Sequence, residues 1–101
     1  MNYDQQARED YRSSPKSIYF WLLAASYLYY HEPHRTPLLS DACFDKMCKY
    51  LLSNFDTLSK HSKLSHLVTQ SHLQAGSFYD ILDNDYPVWL VRMAQYMSDR
   101  L

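Results

Sequence analysis

Apolar positions recur along this chain at helical spacing, and they do so in separated runs. Ile18, Leu22, Ala25 and Tyr29 follow one another at steps of three and four residues, and Phe20, Trp21 and Leu28 extend the apolar surface almost all round. A helix apolar on every side has to be packed on more than one side, so the segment from about Pro15 to Tyr30 is predicted as the central helix. Ser14 before Pro15 marks its start, because serine can accept from an unpaired N–H and proline at a first helical position gives up no bond. Phe44, Met47, Cys48, Leu51, Leu52 and Phe55 give the cleanest amphipathic pattern and predict a second helix that begins at Asp41, capped by Ser40 or Asp41 itself.

Between these helices the loop HEPHRTPLLS is bounded by Pro33 and Pro37, which stiffen it. Leu64, Leu67, Val68 and Leu73 predict a short third helix stopping near Gly76, whose freedom at positive φ suits a helix end. Phe78, Ile81 and Leu82 suggest a further apolar turn. Asp83 to Pro87 reads as a capping signature for a last helix, about Pro87 to Asp99, with Val88, Leu90, Val91, Met93, Ala94 and Met97 on its buried side. Residues 1–13 are polar and mixed in charge, which fits either a short exposed helix or a flexible arm. The expected architecture is all-α, about four helices around an aromatic-rich helical hairpin, forming a single domain over residues 1–101.

Composition narrows the function classes. With one glycine and four prolines there is little strand punctuation, and no glycine-rich phosphate loop or dinucleotide turn can be built. No GxSxG nucleophile motif is present, so the chain is expected not to be an enzyme. A formal net charge of −1 argues against nucleic acid as a direct ligand. The most apolar run, Ile18 to Tyr30, is shorter than the ~20 residues that cross a bilayer, and residues 1–12 lack the apolar segment of a signal peptide. Cys43 and Cys48 project about 140° apart around the second helix and are not expected to bridge, which points to a cytoplasmic protein. Five histidines, including His31 and His34, show no two-histidine metal spacing, and no metal or required cofactor is expected.

The positions with candidate chemistry lie at the hairpin. Asp41 and Asp45 are one helical turn apart with Phe44 beside them, so the three can line one wall, two acceptors next to a stacking surface. By spacing alone the plainer reading is a helix cap and an Asp45–Lys49 surface ion pair, and spacing alone does not make a binding site. Ten tyrosines are a high share for 101 residues; most fall at core positions, but Tyr29, Tyr30 and Tyr96 need not. Trp89, Arg92 and Tyr96 share a stripe of the last helix and consist of the residue types that dominate protein interfaces.

Tyr30-His31, the proline loop, and then Pro37-Leu38-Leu39-Ser40-Asp41-Ala42-Cys43-Phe44-Asp45 ahead of a leucine-rich face resemble the N-terminal Ia domain of bacterial NAD-dependent DNA ligases over about residues 18–60. Phe44 stands where that family has tyrosine, and the loop is one residue longer. The resemblance implies a site for nicotinamide mononucleotide, the half of NAD that the Ia domain holds. Tyr30 and Phe44 would be its aromatic faces, Asp41 and Asp45 its ribose or amide acceptors, and His31 a phosphate neighbour. The nucleotidyltransferase domain of a ligase is not in this sequence. Stand-alone proteins of this size that resemble the Ia domain look like bacteriophage products. Two functions are therefore expected: a non-catalytic interaction protein that docks on and modulates a host protein, or a module that binds NAD or nicotinamide mononucleotide to sense or sequester it. Self-association is open in either case.

Overall fold

Because Ile18–His31 is apolar on every side, it ends up surrounded. In the computed structural model, which describes residues 1–101, this helix (α2) buries residues from Ile18 to Leu28 at every angle around its axis. It is contacted by α1 (Asp4–Ser13), α3 (Asp41–Ser53) and α6 (Val88–Asp99). Two short helices, α4 (Phe55–Leu58) and α5 (Gln70–Ala75), complete an all-α domain without strands. No helix is long and apolar enough to cross a membrane.

Pro15–Ser17 forms a 3-10 turn before α2, so the helix proper begins three residues later than its proline suggested, and the Ser14 side chain caps nothing. Of the two readings for residues 1–13, the structure contains the helix, and it is packed rather than loose. Ala7 is fully buried, the Tyr3 hydroxyl donates to the Met97 carbonyl at 2.9 Å, and the Trp21 indole N–H donates to Asp10 at 3.0 Å. Ala7 is the only residue of this helix that is buried, with Tyr3 and Tyr11 half-buried on either side of it, and polar bonds do the rest, so its apolar face is too thin to announce a packed helix.

α3 begins as expected, with Ser40 as its cap: Ser40 Oγ accepts from the Cys43 N–H at 3.1 Å. Cys43, Met47, Cys48 and Leu51 are buried along its inner face, with Phe44, Leu52 and Phe55 at the margins. Both thiols are free. Burial, helped by the charge of Asp45, pushes Cys48 up to about 12, and burial followed by Asp4 raises Cys43, so neither supplies a thiolate at neutral pH. The predicted third helix is shorter than its apolar positions implied. Ser65–Leu67 is a 3-10 turn and Val68 is extended, because Thr69 exchanges bonds with His72 in a capping box that starts α5 only at Gln70. Gly76 ends α5 at φ 65°, the left-handed stop the sequence called for.

The last helix has the expected span, but not the expected cap or facing. Asp83–Asp85 forms its own 3-10 turn, in which Asp85 accepts from the Leu82 N–H, and α6 starts after Pro87 with no side-chain cap. Leu90, Ala94 and Ser98, each four residues apart, form its buried line, whereas Val88 and Met93, expected inside, are 65% and 45% exposed. Ser98 takes part because its hydroxyl donates to the Thr36 carbonyl at 2.7 Å, fastening α6 to the proline loop.

One buried hydroxyl in α2 lacks a partner. Tyr19 is fully buried and its phenol makes no hydrogen bond, while burial raises its pKa. Leaving a polar group unpaired inside costs about 1–3 kcal/mol, so Tyr19→Phe is expected to stabilise the fold by about 1 kcal/mol. A higher urea midpoint with an unchanged slope would show it; a lower midpoint would mean that the phenol has a bound water as partner.

Candidate functional site

The last turn of α2, the proline loop and the first turn of α3 enclose a groove of about 980 Å³. Four of the five residues expected to bind a ligand line it: Tyr30, Asp41, Phe44 and Asp45. Tyr29 and Arg35 join them, and Met1, Asn2 and Gly76 close the remaining edges.

Each wall is fixed by a local cause. Tyr30 is anchored at its far end, where its hydroxyl shares a 3.0 Å hydrogen bond with Ser77 Oγ and accepts a longer one from the Phe78 N–H. Tyr29, largely exposed, meets Tyr30 edge-on with ring centroids 4.9 Å apart. Phe44 rests edge-on against the buried Phe78 at 5.6 Å. Asp41 is the first residue of α3, exposed and with no hydrogen bond or ion pair at its carboxylate, while Asp45 forms the expected ion pair with Lys49 at 3.0 Å. Both partners of that pair are well exposed, so it adds little to stability and leaves the carboxylate available. Gly76 faces this carboxylate, since a Cβ there would come within 3.9 Å of Asp45 Oδ1. The surface reading and the site reading of the two aspartates therefore describe the same side chains without conflict.

The loop wall is held by charge. Arg35 is bonded to Glu32 and, at 2.7 Å, to Asp99 on α6. Glu32 also accepts from the Tyr27 hydroxyl and from Gln95 Nε2, each at 2.7 Å. Burial alone would raise the Glu32 pKa, but the bonds from Tyr27, Gln95 and Arg35 outweigh it and hold the carboxyl below its ordinary value. Tyr27 moves the other way, up to about 12, through burial and then its bond to the carboxylate. At the front of the loop, Asp4 of α1 accepts from the Ser40 N–H at 2.8 Å and from its hydroxyl at 2.6 Å. The cap of α3 is thus itself capped by α1.

His31 does not reach the groove. One residue beyond Tyr30 lies about 100° further round a helix, and there its Nε2 donates to the Ile81 carbonyl at 2.8 Å while its ring packs on Tyr27 and Tyr86. In this fold its ring is held by the Ile81 carbonyl, away from the groove in which the resemblance would place it. Trp89, Arg92 and Tyr96 lie apart from the groove on the outer face of α6, and Trp89 and Tyr96 are 57% and 56% exposed. Sequence reasoning missed Arg35 and Asp4. Arg35 sits in plain view between the two prolines but carries no spacing signal, and nothing in the sequence ties Asp4 to Ser40. No group of three or more His, Cys, Asp or Glu is arranged to hold a metal ion.

Comparison with known proteins gives no match: no family model, no curated protein and no solved structure matches this chain.

Proposed function

We propose that this chain is a binding module without catalytic machinery of its own, whose groove takes nicotinamide mononucleotide or the same half of NAD. The observation that supports this reading most is the convergence of Tyr30, Phe44, Asp41 and Asp45 on one groove. Aromatic walls favour a planar ring, and two carboxylates favour a ring that is positively charged and carries N–H and O–H donors nearby. Nicotinamide with its ribose offers all three. Arg35 is the one cationic side chain lining the groove, and it would face the phosphate while still braced by Glu32 and Asp99.

The groove is partly open to solvent, so affinity is expected at about the micromolar to millimolar level. Titration calorimetry with nicotinamide mononucleotide checks this. Heat should be measurable, Asp45→Ala should remove it, and adenosine monophosphate should not compete. A folded sample that gives no heat at millimolar ligand would sink the reading.

A second reading, docking of another protein on Trp89, Arg92 and Tyr96, is favoured by the exposure of those side chains. It is compatible with the first, since no residue of α6 lines the groove.

A further inference from the structure

The outer face of α6 is left largely uncovered by the fold. Trp89, Met93, Tyr96 and Arg100 succeed one another at steps of three and four residues, which makes one stripe about 16 Å long, turned away from the buried line of Leu90, Ala94 and Ser98. One face of the Trp89 ring is covered by Phe20, nearly parallel at 6.1 Å, and more than half of the residue remains exposed. The Arg100 guanidinium lies over the Tyr96 ring, 5.0 Å from its centroid. Isolated exposed apolar side chains call for no explanation, but two aromatics and a methionine in register with arginine form the composition of an interface.

Charge selects the occupant. Arg92 and Arg100 form no ion pair within the chain, and neither do Asp83 and Asp85, all exposed, in the turn just before α6. The stripe is therefore acidic just ahead of its first turn and basic towards its last. We propose that a second copy of this chain covers this face, the two α6 helices running antiparallel about a two-fold axis. Centred between Arg92 and Met93, that arrangement sets Trp89 of one copy against Tyr96 of the other and brings Arg100 towards the acidic turn at Asp85. It also opposes the two helix dipoles. A parallel pairing would instead put basic end beside basic end. The two Arg92 side chains come near one another on one flank, at the solvent edge where salt screens them. The patch is self-complementary, as a two-fold interface requires. Four exposed side chains per copy bury less than the ~800 Å² per partner of a standard interface, so dissociation is expected at roughly 0.1 mM. This inference rests on the docking reading of α6 and is independent of the groove.

Sedimentation velocity across roughly 0.01 to 1 mM spans the expected transition from monomer to dimer. Trp89→Ala should weaken association at least about tenfold. Arg100→Glu and Asp85→Lys should each weaken it severalfold, and an equimolar mixture of these two variants should restore it, because every mixed dimer again sets opposite charges at both ends. Should Asp85→Lys lose its helical circular dichroism, Asp83→Lys takes its place. A monomer throughout the range, association indifferent to Trp89→Ala, or a mixture no stronger than its components would each overturn the proposal. Iodide quenching separates this from the reading beneath it. A monomer whose Trp89 is still quenched leaves the stripe to a protein of another kind, whereas a shielded Trp89 in the monomer removes the docking surface altogether.

Discussion

Phe78→Ala is expected to cost about 3–5 kcal/mol and to abolish the proposed nucleotide binding at the groove with it. The ring is fully buried, stacked on His72 at 5.1 Å on one side and met edge-on by Phe44 at 5.6 Å on the other. Its removal leaves a cavity that neither neighbour can fill without moving, and Phe44 is a wall of the groove. Its backbone N–H also points at the Tyr30 hydroxyl, so a shift of this segment reaches the second aromatic wall. Domains of this size have total stabilities of about 5–15 kcal/mol, and each kcal/mol moves the melting temperature by about 4–8 °C. The melt should therefore fall by tens of degrees, or the variant should not fold. Tyr79→Ala is the contrast: that ring is exposed, and its loss should change stability by no more than about 0.5 kcal/mol. A Phe78→Ala protein that melts within a few degrees of the parent would show that the segment after Gly76 is not the groove's support.

Asp4→Ala is expected to cost about 2–3 kcal/mol, more than any other change in the polar residues of α1. The carboxylate receives both the N–H and the hydroxyl of Ser40, and hydrogen bonds to a charged acceptor are the stronger kind. Ser40 in turn accepts from the Cys43 N–H, so the first turn of α3 is secured through α1. Asp4→Asn keeps one acceptor oxygen without the charge and should lose about half as much. Urea denaturation measures the loss, and amide exchange locates it: the Cys43 amide should lose protection before the middle of α3 does. Equal protection at Cys43 in parent and variant would show that Ser40 keeps its capping geometry unaided.

The central helix and α3 were legible because their apolar residues have a period and their starts carry Pro15 and Ser40, and the end of α5 was legible at Gly76, all local signals. The pairing of Asp45 with Lys49 and the free thiols followed from helical geometry in the same way. The groove was half legible: spacing places Asp41, Phe44 and Asp45 on one wall, whereas Tyr30 and His31 enter only through the resemblance, and a helix turns His31 about 100° away from Tyr30 and out of the groove lining. The facing of α6 was not legible. Its sequence from Val88 to Ala94 is apolar at nearly every position, so no arc stands out, and the choice falls to Ser98, a polar residue buried because the Thr36 carbonyl is there to receive it. The packing of α1 was hidden for a related reason, since its partners Leu38, Ser40, Trp21 and Met97 are remote in sequence.

The Tyr3–Met97 bond joins residues 94 positions apart, and the groove draws its walls from the same far-flung segments: the start of the chain, the proline loop, and the stretch around Gly76 to Phe78. Helices are usually quick, local events in folding, but contacts of this separation must first meet the entropy of closing long loops. The hairpin of residues 18–60 thus holds the recognisable residues without the means to arrange them. Cavity and global structure arrive together, and the groove in this chain is a product of the last step of folding rather than of any excisable piece.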